Sequence, residues 1–390
     1  MTKRDMARET FLEFSPPTIG EDDICAVVDV LRSPWITTGP QTKAFESAIA
    51  KYVGAPGALA VSSATAAMEV ALAALGVGPG DEVITSTMTF CSTAHVIEHL
   101  GARPVLVDVE PDTLCVSPAA VERAVTPKTR GVLPVHLYGH PCDMDPLLAL
   151  AAERGLFILE DAAHSLPAKY KGQMVGTIGT ATAFSFYATK NLTTAEGGML
   201  TGSADFIAKA RPWSLHGMSR DSYNRYNAGG SWFYEVVLPG FKCNMTDIQA
   251  ALGLQQLAKL DRFQSRRRGV VAQYQAAFLR DEFELPVERP EVESAWHIYP
   301  LRLNLDALRI GRNEFIEELK QRNIGSSVHF IPVHLHPYYR DRYGLRPDDF
   351  PIAYAAYGRL LSLPLHPGLS DSDVNDVIDA VLAIAKLHRR

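Results

Sequence analysis

At 390 residues the chain is long enough for two domains, or for one large domain with a smaller appendage. Apolar residues at 47% against 21% charged exclude broad disorder, and a formal charge of −6 excludes a general attraction to nucleic acid, so an anionic ligand must be held by a local site. The opening run MTKRDMARETFLEF is charged throughout, and no window reaches the roughly 18 apolar residues of a membrane span, so no membrane association and a cytoplasmic location are expected.

From about residue 56 to 200, short β-rich runs alternate with helical ones. GALAVSS reads as a strand, ATAAMEVALAALGV as a helix, DEVITSTMTF as a strand, STAHVIEHLG as a helix and ARPVLVDV as a strand. GVLPVHLYG (strand), MDPLLALAAERG (helix, ended by Gly155), LFILED (strand) and TATAFSFYAT (strand) follow. The nearly continuous apolar strands predict an α/β fold whose mostly parallel central sheet is sandwiched by helices, with ligands beyond the strand carboxyl ends.

NMTDIQAALGLQQLAKLD reads as a helix, and the run through QSRRRGVVAQYQAAFL as a connecting one. A smaller C-terminal α/β unit is expected after it, with strand IYPLRLNL, helix RNEFIEELKQRN and closing helix SDSDVNDVIDAVLAIAKLH behind a capping box from Ser370 to Asp373. The predicted division is a large domain over residues 1–265, including the amino-terminal segment, and a small domain over 266–390. FIPVHLHPYY and SLPLHPGL read as loops, and Arg266, Arg267 and Arg268 as a solvated helix face. The five cysteines are scattered without a CxxC pair, which reads as packed thiols and predicts no metal site.

Asp161 closes LFILED, and Lys190 stands in FSFYATKN after the next strand. Pyridoxal phosphate chemistry needs such a pair: a carboxylate to keep the pyridine nitrogen protonated, and an amine to capture the aldehyde as a Schiff base. Taken singly, each residue is ordinary, an Asp in a loop or cap and a Lys on the surface. VSSATAAMEVALAAL adds hydroxyls at Ser62 and Ser63 and a helix opening near Ala64, Thr65 and Ala66, which suits phosphate as well as it suits a plain capped helix. Ser185 could supply another hydroxyl, and Phe90 could stack on a flat heterocycle or simply pack in the core.

In this order the motifs WITTGPQTKAFE, SSATAAM, EVITSTMTF, PVHLYGHPCDMDPL, EDAAHS, SFYATKN, EGGML, GFKCNMTDIQAALGL and SLPLHPGL resemble the DegT/DnrJ/EryC1/StrS sugar aminotransferases, within the fold-type I pyridoxal phosphate enzymes. The resemblance implies that Lys190 binds the cofactor covalently, Asp161 pairs with the pyridine nitrogen, Phe90 stacks on the ring where several members carry tryptophan, and His164 lies near the ring hydroxyl. It further implies that Thr65, Ala66 and Ser185 hold the phosphate and that Asn244 reaches the cofactor of a neighbouring subunit, which makes the active unit a homodimer. A branch of the family has histidine at the lysine position and dehydrates its substrate; the intact Lys190 points to transamination.

By the same resemblance, L-glutamate is the amino donor, and pyridoxamine phosphate is the form left after the first half-reaction. The acceptor is expected to be a nucleotide-linked 4-keto-6-deoxyhexose such as dTDP-4-keto-6-deoxy-D-glucose, aminated at C4, with a UDP-4-keto or a 3-keto sugar as the alternative. Lys242, His329 and Tyr338 are candidate sugar or nucleotide contacts. Two rival readings are weighed. A nucleotide-sugar dehydrogenase or epimerase needs a glycine-rich loop opening a helix, and the near-match GVGPGD precedes a strand instead. A pyridoxal-phosphate-binding regulator without turnover keeps the fold but makes no use of the reacting groups.

Overall fold

The alternation of apolar strands and alanine- and leucine-rich helices builds a seven-stranded sheet. The computed structural model describes residues 8–218 and 233–390; residues 1–7, the start of the expected large domain, lie outside the described residues. Helices α1 (Glu21–Arg32) and α2 (Pro40–Val53) precede β1 (Gly57–Val61), which runs through Ser62 and Ser63 into α3 (Ala64–Ala74). Then come β2 (Glu82–Ser86), α4 (Ser92–His99), β3 (Arg103–Val107), α5 (Pro118–Ala124), β4 (Thr129–Leu133), α6 (Met144–Arg154), β5 (Phe157–Asp161), β6 (Ala181–Ser185), β7 (Gly198–Gly202) and α7 (Ala204–Ser214).

The sheet order is β1–β7–β6–β5–β4–β2–β3. Strands β3, β2, β4, β5 and β6 pair in parallel, and β7 runs antiparallel between β6 and β1. The fold class read from the sequence is therefore present, with one reversed strand, β7, that the sequence reading left unassigned. Its glycine lets the chain pass close to α3: a Cβ on Gly198 would stand 2.3 Å from the Ser63 carbonyl carbon and 2.6 Å from the Ala64 nitrogen.

Residues 247 to 277, read as two helices, form one: α8 (Asp247–Ala277). Thr246 and Gln249 close a capping box at its start. Buried Asp247 accepts hydrogen bonds from the backbone N–H of Gly39 (2.8 Å), Gln41 (3.1 Å) and Thr42 (2.9 Å), tying α8 to the start of α2. The second half of α8 supplies Val270, Val271 and Tyr274 to a second core around the antiparallel sheet β8 (Phe283–Glu284), β9 (Tyr299–Leu303) and β10 (Leu360–Leu363). Helices α9 (Arg312–Gln321) and α12 (Asp371–His388), the latter following the short α11 (Pro351–Tyr357), cover that core, and α12 carries the expected Ser370–Asp373 box.

The expected division after residue 265 falls within α8, and Leu12, grouped with the large domain, joins the second core, its N–H donating to the Asn323 carbonyl at 2.8 Å. Two local readings are corrected. The arginine run is not a solvated face: Arg267 is 2% exposed and donates to the carbonyls of Leu365 (2.6 Å) and His297 (3.3 Å). The proline-rich runs are not loops throughout, because α10 (Pro337–Tyr343) starts on a proline at its first turn and β10 takes in Ser362 and Leu363.

Candidate active site

The carboxyl ends of β1, β5 and β6 open on one cavity of about 340 Å³. Thr65, Phe90, Asp161, His164, Ser185, Lys190 and His329 line it, which brings together seven of the eleven residues singled out by sequence. Ala66, Asn244, Lys242 and Tyr338 are not in its lining.

Asp161 is the last residue of β5 and 4% exposed. Thr93 Oγ1 donates to Oδ2 at 2.8 Å, and the Ala163 N–H to Oδ1 at 3.1 Å. Among the described residues no cation lies within ion-pairing distance, and burial pushes the carboxyl above the usual carboxylate range. The strand end is immobilised from behind. The His136 N–H donates to the Asp161 carbonyl at 3.0 Å, and His136 Nε2 meets Glu160 Oε2 at 2.8 Å, both side chains fully buried.

Lys190 follows β6. Burial lowers its amine to about 8, opposed by the attraction of Asp161. The imidazole of His164 accepts the Tyr138 N–H on Nδ1 at 3.2 Å, and burial with the Lys190 charge holds it well below the ordinary histidine range. His329 Nδ1 meets Ser362 Oγ at 2.9 Å, and burial lowers this ring to about 4.

At the start of α3, Ser63 takes two of the first four amides: Oγ accepts from Ala66 N at 3.0 Å, and the carbonyl from Ala67 N at 3.0 Å. The amides of Ala64 and Thr65 have no helical acceptor by geometry, and both residues line the cavity. The Ala66 amide, expected at the phosphate, donates to the Ser63 cap, whereas Ala64 beside Thr65 lines the cavity. Ser185 Oγ accepts the Tyr187 N–H at 3.4 Å, which leaves its own proton for a ligand. Phe90 is 56% exposed with its ring 5.7 Å from that of Phe330, an aromatic face open to the cavity where the core reading would bury it.

The remaining three expected residues lie elsewhere. Asn244 Nδ2 donates to Thr38 Oγ1 at 2.6 Å, and the Lys242 ammonium donates to Asn244 Oδ1. Tyr338 is half exposed on α10 with the Arg342 guanidinium over its ring. Sequence reasoning missed Thr93, which sits on the inward face of α4 in STAHVIEH, and His297, whose position carries no local signal.

The profile of the DegT/DnrJ/EryC1/StrS aminotransferase family matches residues 17–382. The chain belongs to that family. It is 52% identical over 382 residues to the spore coat polysaccharide biosynthesis protein SpsC of Bacillus subtilis, covering 97% of this chain and 98% of SpsC. In structure it is similar to Spr1654 of Streptococcus pneumoniae, assigned as a sugar aminotransferase and solved in PMP and PLP forms; the PMP form superposes with a TM-score of 0.91 at 39% identity, over 96% of this chain and 99% of that one. PseC of Helicobacter pylori, an aminotransferase involved in the biosynthesis of pseudoaminic acid, gives a TM-score of 0.89 at 26% identity over 97% and 100% of the two chains.

Membership makes this chain a pyridoxal-phosphate-dependent sugar aminotransferase of fold-type I. The residues present fit that cofactor. A buried carboxylate has no cation within ion-pairing distance among the described residues, an amine of lowered basicity faces the same space, and two helix-start amides with a serine hydroxyl suit a phosphate.

Proposed function

We propose that the enzyme transfers an amino group from L-glutamate to C4 of a nucleotide-linked 4-keto-6-deoxyhexose, with dTDP-4-keto-6-deoxy-D-glucose as the best candidate. The observation that carries this reading is the convergence of Asp161 and Lys190 on one cavity, the carboxylate buried and its acidity weakened, the amine lowered to about 8. Likeness to a polysaccharide biosynthesis protein and to a sugar aminotransferase supports a sugar acceptor.

When bound, the cofactor supplies an aldehyde that captures amines and a ring that withdraws electrons from the adjoining carbon. The task of Asp161 is to hold the ring nitrogen protonated, and a cation there would relieve the burial cost of its own charge. Lys190 Nζ would take the proton from the donor α-carbon and deliver it, as acid, to the cofactor carbon that bore the aldehyde, and would carry one the opposite way when the sugar is aminated. Deprotonating an amine of pKa about 8 at pH 7 costs about 1.4 kcal/mol, against about 5 kcal/mol for an unperturbed lysine, so burial makes Lys190 an accessible base. The Ala64 and Thr65 amides and the Ser185 hydroxyl hold the phosphate, Phe90 covers one face of the ring, and His329 borders the sugar.

Asn244 and Lys242 stand outside their own chain's cavity, which supports a homodimer in which Asn244 serves the partner's cofactor. Tyr338 is kept as a contact to the nucleotide. The units divide within α8 near residue 265, and the enzyme works in the cytoplasm; among the described residues no helix is long and apolar enough to cross a membrane.

The test is to mix holo-protein with L-glutamate and dTDP-4-keto-6-deoxy-D-glucose and to assay both products by mass spectrometry. 2-Oxoglutarate with a 4-amino-4,6-dideoxy sugar nucleotide is expected. Turnover only with a UDP-4-keto or a 3-keto sugar would reject the acceptor and keep the reaction.

A further inference from the structure

Of the three imidazoles that line the cavity, His164 and His297 have groups behind them that fix which nitrogen of each carries the proton. Tyr138 N–H donates to His164 Nδ1 at 3.2 Å, so the neutral ring keeps its proton on Nε2. His297 is held the other way. Asn191 Nδ2 donates to the Ala295 carbonyl at 2.8 Å, which orients the amide and turns its oxygen toward His297 Nδ1 at 3.1 Å. An amide oxygen only accepts, so the proton of His297 sits on Nδ1 and Nε2 is a bare lone pair. Burial and the Lys190 charge hold both rings well below the ordinary histidine range, so both are neutral at pH 7.

The ring centroids are 4.6 Å apart. Both residues line the cavity, and neither Nε2 is among the sealed, unpartnered side-chain atoms. The His297 backbone is clamped as well: its N–H donates to the Tyr138 carbonyl at 2.9 Å, and its carbonyl accepts from Arg267 at 3.3 Å.

We propose that His164 and His297 form a binding pair of fixed polarity, one donor and one acceptor, for a single hydroxyl group of the ligand, with His297 the member that requires that group to keep its proton. A hydroxyl accepts from His164 Nε2–H and donates to His297 Nε2. An ether or carbonyl oxygen satisfies His164 but sets a lone pair against the lone pair of His297. This rests on the cofactor and sugar reading above, and two sources share the chemistry: the ring hydroxyl of pyridoxal phosphate and a hydroxyl of the sugar. Asn191, beside Lys190 in the chain, is the positioning residue that sets the acceptor.

Nitrogen-15 NMR of the histidine-labelled full chain without cofactor reads the tautomers directly. A protonated Nδ1 and an unprotonated Nε2 are expected for His297, the reverse for His164, with no titration of either near neutral pH. Asn191→Asp, which keeps an acceptor, should preserve the His297 tautomer, and Asn191→Ala should lose it. Equilibrium dialysis then locates the hydroxyl. If it belongs to the cofactor, His297→Phe weakens pyridoxal phosphate about tenfold and leaves the analogue lacking the ring hydroxyl unchanged; if it belongs to the sugar, the loss appears only in the sugar-nucleotide KM. A protonated His297 Nε2, or a His297→Phe variant that loses no affinity for either ligand, overturns the proposal. Correct tautomers in a protein that takes up no pyridoxal phosphate would instead reject the cofactor reading.

Discussion

At the level of single residues, Lys190 and Asp161 are each kept in a state that costs stability until a ligand arrives. The amine of Lys190 falls from 10.5 to about 8 on burial, so the folded chain binds fewer protons than the unfolded one between those values, and stability rises with pH through that window. Below it the penalty is on the order of 2–3 kcal/mol, allowing for partial access to water. Lys190→Met should therefore abolish turnover and raise the stability of cofactor-free protein by that order at pH 7, the gain fading as pH rises from about 8 to 10.5. Urea unfolding at a series of pH values checks it, and a gain that grows with pH would contradict it. For Asp161 the sign is reversed. Its carboxyl is raised, so the folded chain loses stability as pH climbs from 3.8 through the raised value. Asp161→Asn should be no less stable than the parent at neutral pH without cofactor, while its activity drops by at least about a hundredfold, measured by 2-oxoglutarate release. The two residues proposed to react could be picked out in the sequence because the chemistry demands their types near strand ends. Asn191 and His297 were not, because their partnership spans 106 positions and neither has a local pattern.

The elements place these groups by close approach. β7 passes so near the α3 start that a methyl on Gly198 would overlap backbone atoms of Ser63 and Ala64, which cannot swing aside as a side chain would. Gly198→Ala should cost about 2–3 kcal/mol in chemical denaturation and weaken pyridoxal phosphate binding as well, since the same shift displaces the Ala64 and Thr65 amides. Asp247 plays the equivalent part for α2 and α8, satisfying three backbone N–H groups of the α2 start. Asp247→Ala should lose about 3 kcal/mol by the same measurement, because those donors are then left beside an apolar methyl. Most strands and helices could be read from their apolar runs. Helices α1, α2, α5 and α7 and the short strand β8 were left unassigned, and elsewhere local composition pointed away from the structure: β7 is glycine-rich, α10 opens on proline, and Arg267 is an apolar-stem side chain whose charge is satisfied by distant carbonyls.

At the scale of the whole molecule, the two cores are joined by a buried seam at residues 294 to 297. The Ser294 carbonyl accepts from Gln264 at 2.9 Å and Arg268 at 3.1 Å, the Ala295 N–H donates to the Gly139 carbonyl at 2.9 Å, and Asn191 reaches the Ala295 carbonyl from the cavity side. With both units gripping the same four residues, thermal unfolding should be one cooperative transition, calorimetric and van't Hoff enthalpies agreeing; two resolved peaks would contradict this. The alternation of strands and helices gave away the plan of a sheet between helices, whereas the seam draws on backbone and side-chain groups from four separate stretches and left no trace in any one of them.

The shared ownership of α8 also limits how this polypeptide can be taken apart. Splitting the gene after codon 265 would break a 31-residue helix in its interior, parting Leu12 from the core that Val270, Val271 and Tyr274 build and leaving the second piece with a raw helix start in place of the Thr246 cap. Neither fragment would be expected to stand alone in solution, and swapping the carboxyl-terminal third between relatives would have to carry the whole of α8 along with it.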